Sequence, residues 1–269
     1  MVKKLKGSFI YIFLTIVSAL SIAPFLWMII GASNNSKDVT LGKLTLGKNL
    51  ITNFKNLAEQ ADLKLVFWNS ARIAIITTIL AILISSLAGY GFEIFKSRKK
   101  ELLFKLLLLS MMLPFAAMMI PLFKMFSNFG WLNKDIAIIL PGCASAFLIF
   151  FFRQNTKAFP KELIEAARVD GLNELNIFFR IYMPTMKSTY AAAAIITFMS
   201  TWNNYLWPLI VLQTPDKKTL PLVISTLSSG YTPDYGVIMM GVVISVIPTI
   251  LIFFLLQKQF VEGMVGSVK

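Results

Sequence analysis

The stretch Ala71–Phe92 reads ARIAIITTILAILISSLAGYGF, with a single charge, Arg72, at its beginning. An α-helix rises about 1.5 Å per residue, so about 20 apolar residues suffice to cross a hydrocarbon core about 30 Å thick. The stretch fits that requirement, and the chain around it repeats the pattern.

Working outward, apolar runs of similar kind occupy Phe9–Gly31, Leu102–Phe126, Ile136–Phe152, Thr189–Leu212 and Val237–Gln257. The fourth span along the chain, Ile136–Phe152, is short and carries Pro141. Over 269 residues, 57% are hydrophobic and 14% charged. Soluble domains carry about 25% charged residues, and a soluble globule of this length could not hide so much apolar surface. The expectation is an all-α polytopic membrane protein with about six transmembrane helices. Lys3, Lys4 and Lys6 ahead of the first run resemble the start of a signal peptide. The run is longer than a signal core, however, and no Ala-x-Ala site follows, so it reads as an uncleaved span.

The formal charge of +13 would point to nucleic acid in a soluble chain. Here it follows from basic loops on one side of a membrane, and no nucleic-acid partner is expected. Lys96, Arg98, Lys99 and Lys100 crowd the short Glu93–Glu101 segment. Arg153, Lys157, Lys161, Arg168, Arg180 and Lys187 lie in the Arg153–Lys187 segment. The alternate loops hold Lys134 and the pair Lys217 and Lys218. The positive-inside rule then puts both termini in the cytoplasm. The long Ser33–Asn69 loop, with five spread lysines, runs against the trend, in a segment long enough for the rule to weaken.

Several chemistries drop out. With no His and a single cysteine, Cys143, disulfides, thiolate metal clusters and His-based catalysis are not expected, nor is a metal site. No Asp, Glu or His falls inside an expected span, which disfavours a proton symporter or an intramembrane enzyme. A Gly-x-x-x-x-Gly-Lys-Ser/Thr nucleotide loop is absent, so uphill transport would need its energy from another subunit.

Phe159–Pro184, FPKELIEAARVDGLNELNIFFRIYMP, is too polar for the bilayer and reads as two short helices around a break. Pro160 suits a first helical turn, and Lys161–Val169 are mostly helix formers. Gly171 can end that helix in a left-handed conformation, Asn173 can cap the next, and Pro184 is expected to end it. Leu163, Ala166, Ala167 and Asp170 are expected on one side, where the alanines would let a partner surface approach closely.

These residues carry a resemblance. Glu165-Ala166-Ala167, Gly171, Ile181 and Pro184 match the EAA loop of ATP-binding-cassette (ABC) importer permeases, with Met183 where that family usually has Leu. The resemblance implies that residues 153–187 form a cytoplasmic coupling loop docking on a separate ATPase. Glu165, Ala166, Ala167, Asp170, Gly171, Ile181 and Pro184 would be its coupling residues, within a single transmembrane domain spanning 1–269. Thr201-Trp202-Asn203-Asn204-Tyr205-Leu206-Trp207-Pro208 is similar to the Trp-Asn-x-Phe-x-Trp-Pro segment of the carbohydrate-importing, maltose-type group. Within that group the shorter, MalG-like permeases are most alike, notably at Leu140-Pro141, Phe152-Arg153-Gln154, Leu220-Pro221 and Gln259–Gly263.

Aromatic faces stack on sugar rings and Asn amides bond hydroxyls, so Trp202, Asn203, Asn204, Tyr205 and Trp207 are candidates for a sugar path. An interfacial aromatic belt or helix packing explains the same residues equally well. The resemblance further implies alternating access with a homologous MalF-like permease and a dimer of cytoplasmic ATPases that bind ATP and Mg. An extracellular sugar-binding protein would deliver the solute and could touch the Gln213–Gly236 loop. The chain would sit among lipids of a bacterial inner membrane, hold no cofactor and catalyse nothing. Its tail, Phe260–Lys269, would either reach the ATPases or be a flexible end. An ABC permease for another solute is the nearest rival.

Overall fold

The computed structural model describes residues 2–266, with side chains for residues 10–259. Its described residues form helices and connecting turns and no strand. In chain order the helices are α1 Val2–Ser33, α2 Ser36–Thr40, α3 Leu50–Gln60, α4 Leu63–Ile94, α5 Arg98–Ser110, α6 Phe115–Asn128, α7 Ile136–Cys143 and α8 Ala146–Thr156. They continue as α9 Lys161–Val169, α10 Glu174–Ile177, a wide π-turn Phe178–Tyr182, α11 Met183–Thr185, α12 Lys187–Trp202, α13 Leu206–Val211, α14 Leu220–Ser228 and α15 Tyr235–Gly266.

Every expected apolar run is helical, but the runs are not six uniform rods. Among the described residues, Ile10–Ser33, Leu63–Ile94, Ile136–Thr156 and Tyr235–Gln259 are each long and apolar enough to cross a bilayer. The expected third span is instead two helices, α5 and α6, bent by 100° at Met111–Pro114. Proline restricts the residue before it away from the α region, and the apolar run continues on either side of the break. The expected fifth span divides at Asn203–Tyr205 into the 16-residue α12 and the short α13. The Ser33–Asn69 segment, read as a loop, holds α2 and α3, and α4 begins at Leu63 rather than Ala71. The final helix continues to Gly266 where a flexible tail was the alternative, and residues 267–269 lie outside the described residues.

The chain forms two compact units. One comprises residues up to Lys64 with Leu222–Ile247; the other comprises Leu65–Pro221 and the chain from Pro248 onward. The first has its own small core of Ala32, Leu57, Val237 and Met240. Buried Asn53 ties it together, its amide donating to the carbonyls of Ala32 and Asn34, both at 2.8 Å. Buried amides persist at such positions because the bonds offset their desolvation.

The second unit carries the residues of functional interest. Its centre packs Ala81 of α4 against Leu148 and Phe152 of α8 and Ala193 of α12. Gly89 permits this contact: a Cβ there would lie 2.7 Å from the Phe152 Cβ and 2.9 Å from the Arg153 amide nitrogen. Any larger residue would push α4 off α8.

Candidate functional site

The hairpin α9–α10 is built by local backbone rules. Pro160 sits at the N-cap of α9 in an extended conformation. At the other end Gly171 has φ +80°; its N–H donates to the Arg168 carbonyl and that of Leu172 to the Ala167 carbonyl, both at 3.0 Å. This pair of bonds is a Schellman cap, and Leu172 also packs on the core that includes Ala167, as such caps favour. Asn173 caps α10, its side chain accepting from the Asn176 N–H at 2.8 Å. A strap closes the hairpin: Arg168 Nε donates to Glu174 at 2.7 Å, a bond that raises the Arg168 pKa above its ordinary value.

Behind the caps lies a core of Phe159, Ile164, Ala167, Ile177, Phe178, Tyr182 and Met186, which Tyr90 of α4 enters from the side. Tyr90 meets Phe178 and Tyr182 edge-on, at centroid distances of 5.4 and 4.9 Å, and its hydroxyl donates to Glu174 at 3.2 Å. The Tyr182 hydroxyl lies 2.6 Å from that of Thr156 in α8, and burial pushes its pKa up to about 12. The hairpin is therefore seated on α4 and α8 rather than hanging free.

Ala167 faces this core and is buried, where the sequence reading had it facing a partner beside Leu163 and Ala166. At about 100° per residue Ala167 stands between the directions of Leu163 and Ile164, and Ile164 anchors the inward arc. Glu165, Ala166, Asp170 and Gly171 are exposed, together with the apolar Leu163, Leu175 and Val169, the last 88% exposed. Ile181 is half-buried against the core. Pro184 does not end the helical run, which continues to Thr185. The π-turn before it widens the backbone by one residue per turn, which accommodates a proline that lacks an N–H and would clash with the preceding turn.

The Trp-Asn segment divides. Trp202 and Trp207 are both 1% exposed and belong to the unit's interior. Trp202 stacks on Phe198 at 5.7 Å, and the Trp207 indole donates to the Ala137 carbonyl at 2.7 Å. The Asn203 amide turns back to the Met199 carbonyl at 2.9 Å, and Tyr205 is half-buried at the start of α13. Asn204 lines a cavity of about 330 Å³, with Ser145, Ser200 and Thr201 among its walls and the buried Trp207 behind them. Helix packing thus accounts for Trp202 and Asn203, while Asn204 borders open space.

The family model described as "Binding-protein-dependent transport system inner membrane component" matches residues 81–265. The chain belongs to this family. The permease is 55% identical over 259 residues to the lactose transport system permease protein LacG of Rhizobium radiobacter, covering 96% of this chain and 95% of that one. It is 34% identical over 259 residues to the arabinooligosaccharides transport system permease protein AraQ of Halalkalibacterium halodurans, covering 94% and 93%. Its fold matches a chain of a bacterial ABC transporter involved in the import of the acidic polysaccharide alginate. That match has a TM-score of 0.81 at 20% identity and covers 96% and 97% of the two chains. The permease is thus an inner-membrane subunit of an ABC importer.

The permease also holds an ionic cluster that reading the sequence missed. Arg153, at the hairpin end of α8, is buried, and its Nε lies 3.4 Å from Glu93 in the last turn of α4. Its Nη2 pairs with Glu101 of α5, and its guanidinium lies 4.0 Å from the centre of the Phe104 ring. Glu93, 2% exposed, also binds Lys96 at 2.6 Å. The sequence places Glu93 and Arg153 at loop edges among other charges, and partners 60 residues apart leave no local pattern. A contrast was available: Arg153 directly follows the apolar Phe147–Phe152 run.

Proposed function

We propose that this permease translocates a sugar by alternating access, driven by cytoplasmic ATPases that engage the α9–α10 hairpin. One observation carries the reading. The hairpin is anchored in the chain's own core through Ile164, Ala167 and Ile177, yet its tip presents Glu165, Ala166, Asp170 and Gly171 with the bare apolar residues Leu163, Val169 and Leu175. A rigid element with an unpartnered apolar tip suits a docking surface that transmits force. Tyr90 and the strap from Glu174 give that force a route into α4.

In this reading the hairpin and the basic Lys96–Lys100 segment face the cytoplasm, as do both termini. The hairpin and α5 converge on the same ends of α4 and α8, which supports placing the two basic segments on one side. The whole chain, 1–269, acts as one transmembrane domain with 153–187 as its coupling segment. It pairs with a homologous permease and two ATPases that bind ATP and Mg, and an extracellular binding protein supplies the sugar. The lactose and arabinooligosaccharide relatives support a sugar as the solute.

The test is the double substitution Glu165→Ala with Ala166→Arg in the complete transporter. The variant permease should insert and retain its partner permease, lose the ATPase on co-purification, and show background uptake. Unchanged ATPase retention and uptake would remove the hairpin from the coupling role.

A further inference from the structure

Three interrupted helices converge on one place. The cavity of about 330 Å³ is lined by Phe115, immediately after the Met111–Pro114 break, by Ala144 and Ser145, which are the α7–α8 break, and by Asn204 within the α12–α13 break. Non-helical backbone at membrane depth is costly unless it is buried in protein or borders a polar cavity. Ser145 is the tenth residue of the 21-residue Ile136–Thr156 stretch, which places this break near the middle of the span. Discontinuous helices that meet near the midplane are a common way to build a solute site.

The lining has a distinct chemistry. The side chains of Ser200, Thr201 and Asn204 make no hydrogen bond within the described chain; Ser200 is exposed, and Thr201 and Asn204 are half-buried. Thr197 Oγ1, beside them, is buried without a partner. Donors and acceptors left open at this depth are expensive unless a ligand or water completes them. Beside them are two exposed aromatic rings, Phe115 and Phe147. Phe115 and Trp207 meet edge-on at 5.9 Å, and the Trp207 indole is held by the Ala137 carbonyl. No lining residue is charged. The volume falls at the lower end of the range for small-molecule sites, about 300–1,000 Å³.

We propose that this cavity is a neutral-sugar subsite that the permease itself contributes to the translocation path. Ser200, Thr201 and Asn204 bind sugar hydroxyls, and the exposed Phe115 ring packs on a sugar face with the buried Trp207 behind it. The uncharged lining fits a polyol and offers nothing to neutralise a phosphate ester or a carboxylate. The proposal rests on the reading of the permease as a sugar importer. It replaces Trp202, Asn203 and Tyr205 of the Trp-Asn segment with residues that border open space.

The experiment uses the complete transporter reconstituted with its binding protein. Ser200→Cys is introduced in a Cys143→Ala background, and maleimide labelling is followed with and without lactose, an arabinooligosaccharide or sn-glycerol 3-phosphate. Lys48→Cys, exposed in the other unit, is the control. A transported sugar should slow labelling at position 200 severalfold and leave position 48 unchanged. Asn204→Ala should slow sugar uptake about five- to tenfold, the worth of one lost hydrogen bond, and Asn204→Ser should recover part of it. Normal sugar uptake without protection at position 200 would overturn the subsite while leaving the importer reading intact. Uptake of the phosphate ester alone would overturn both the neutral-sugar assignment and the sugar reading. If Ser200→Cys assembles poorly, the same labelling at Thr201→Cys decides the matter.

Discussion

Arg153 and Glu93 form the most exacting test of the fold described above. Removing one partner of a buried ion pair leaves the other charge uncompensated, at a cost of about 3–5 kcal/mol. Here each partner keeps a substitute. Glu93 retains Lys96 at 2.6 Å, and Arg153 retains Glu101 and the Phe104 ring. Both substitutes are partly solvated, with side-chain exposures of 50% for Lys96 and 41% for Glu101, so they compensate incompletely. Arg153→Met and Glu93→Gln should therefore each destabilise the permease by about 3 kcal/mol, the lower end of the range. In the double variant neither buried charge remains, and the loss should be close to that of one single variant. The coupling energy is then about 2–3 kcal/mol. The assay is reversible unfolding of purified permease in mixed micelles, followed by circular dichroism. Additive losses in the double variant would refute the pairing.

Three further outcomes follow from the hairpin. Gly171→Ala should destabilise it by about 1 kcal/mol, because φ is +80° and no atom lies within 4 Å of the added Cβ, leaving only the left-handed strain; trypsin should cut at Arg168 faster, and Gly171→Asn should fall between Ala and wild type. Tyr90→Phe and Glu174→Gln should each change stability by less than about 1 kcal/mol, since the bond involves a partly exposed carboxylate. Tyr90→Ala should cost about 3–5 kcal/mol by emptying the ring's place between Phe178 and Tyr182, and chemical denaturation separates the two cases. Tyr182 is held at about 12 by burial, against about 10 unfolded. Its contribution is fully present below pH 10 and is lost as pH rises from there through about 12. Ultraviolet titration should show one phenol fewer ionising near pH 12 in Tyr182→Phe than in the wild type.

The parts of the fold that could be read in advance are those governed by neighbouring residues. Pro160, Gly171 and Asn173 announce a helix start, a left-handed stop and a new cap, and all three adopt those roles. The membrane-crossing runs are visible for the same reason, since twenty apolar residues need no distant partner to be recognised. The breaks are harder to read. Leu102–Phe126 is apolar on both sides of Pro114, and hydrophobicity alone does not distinguish a straight span from one bent by 100°. Whether Trp202 faces a solute or a neighbouring helix depends on Phe198 and Phe67, the latter 135 positions away, and a tryptophan suits both settings. Ala167 turned inward because Ile164 was the stronger anchor, a contest that helical spacing leaves open. The Arg153 cluster depended wholly on contacts between distant segments.

The bare tip of the hairpin has a consequence for how cells handle this subunit. Val169 is 88% exposed and Leu175 64%, and in the proposed reading both face the cytoplasm. If the tip is covered in the assembled transporter as proposed, a copy made in excess of its counterparts displays the kind of greasy knob by which chaperones and proteases find unfolded proteins, although everything behind it is correctly built. Production of the subunit would then have to match that of whatever caps the knob, and the surplus would mark itself for removal.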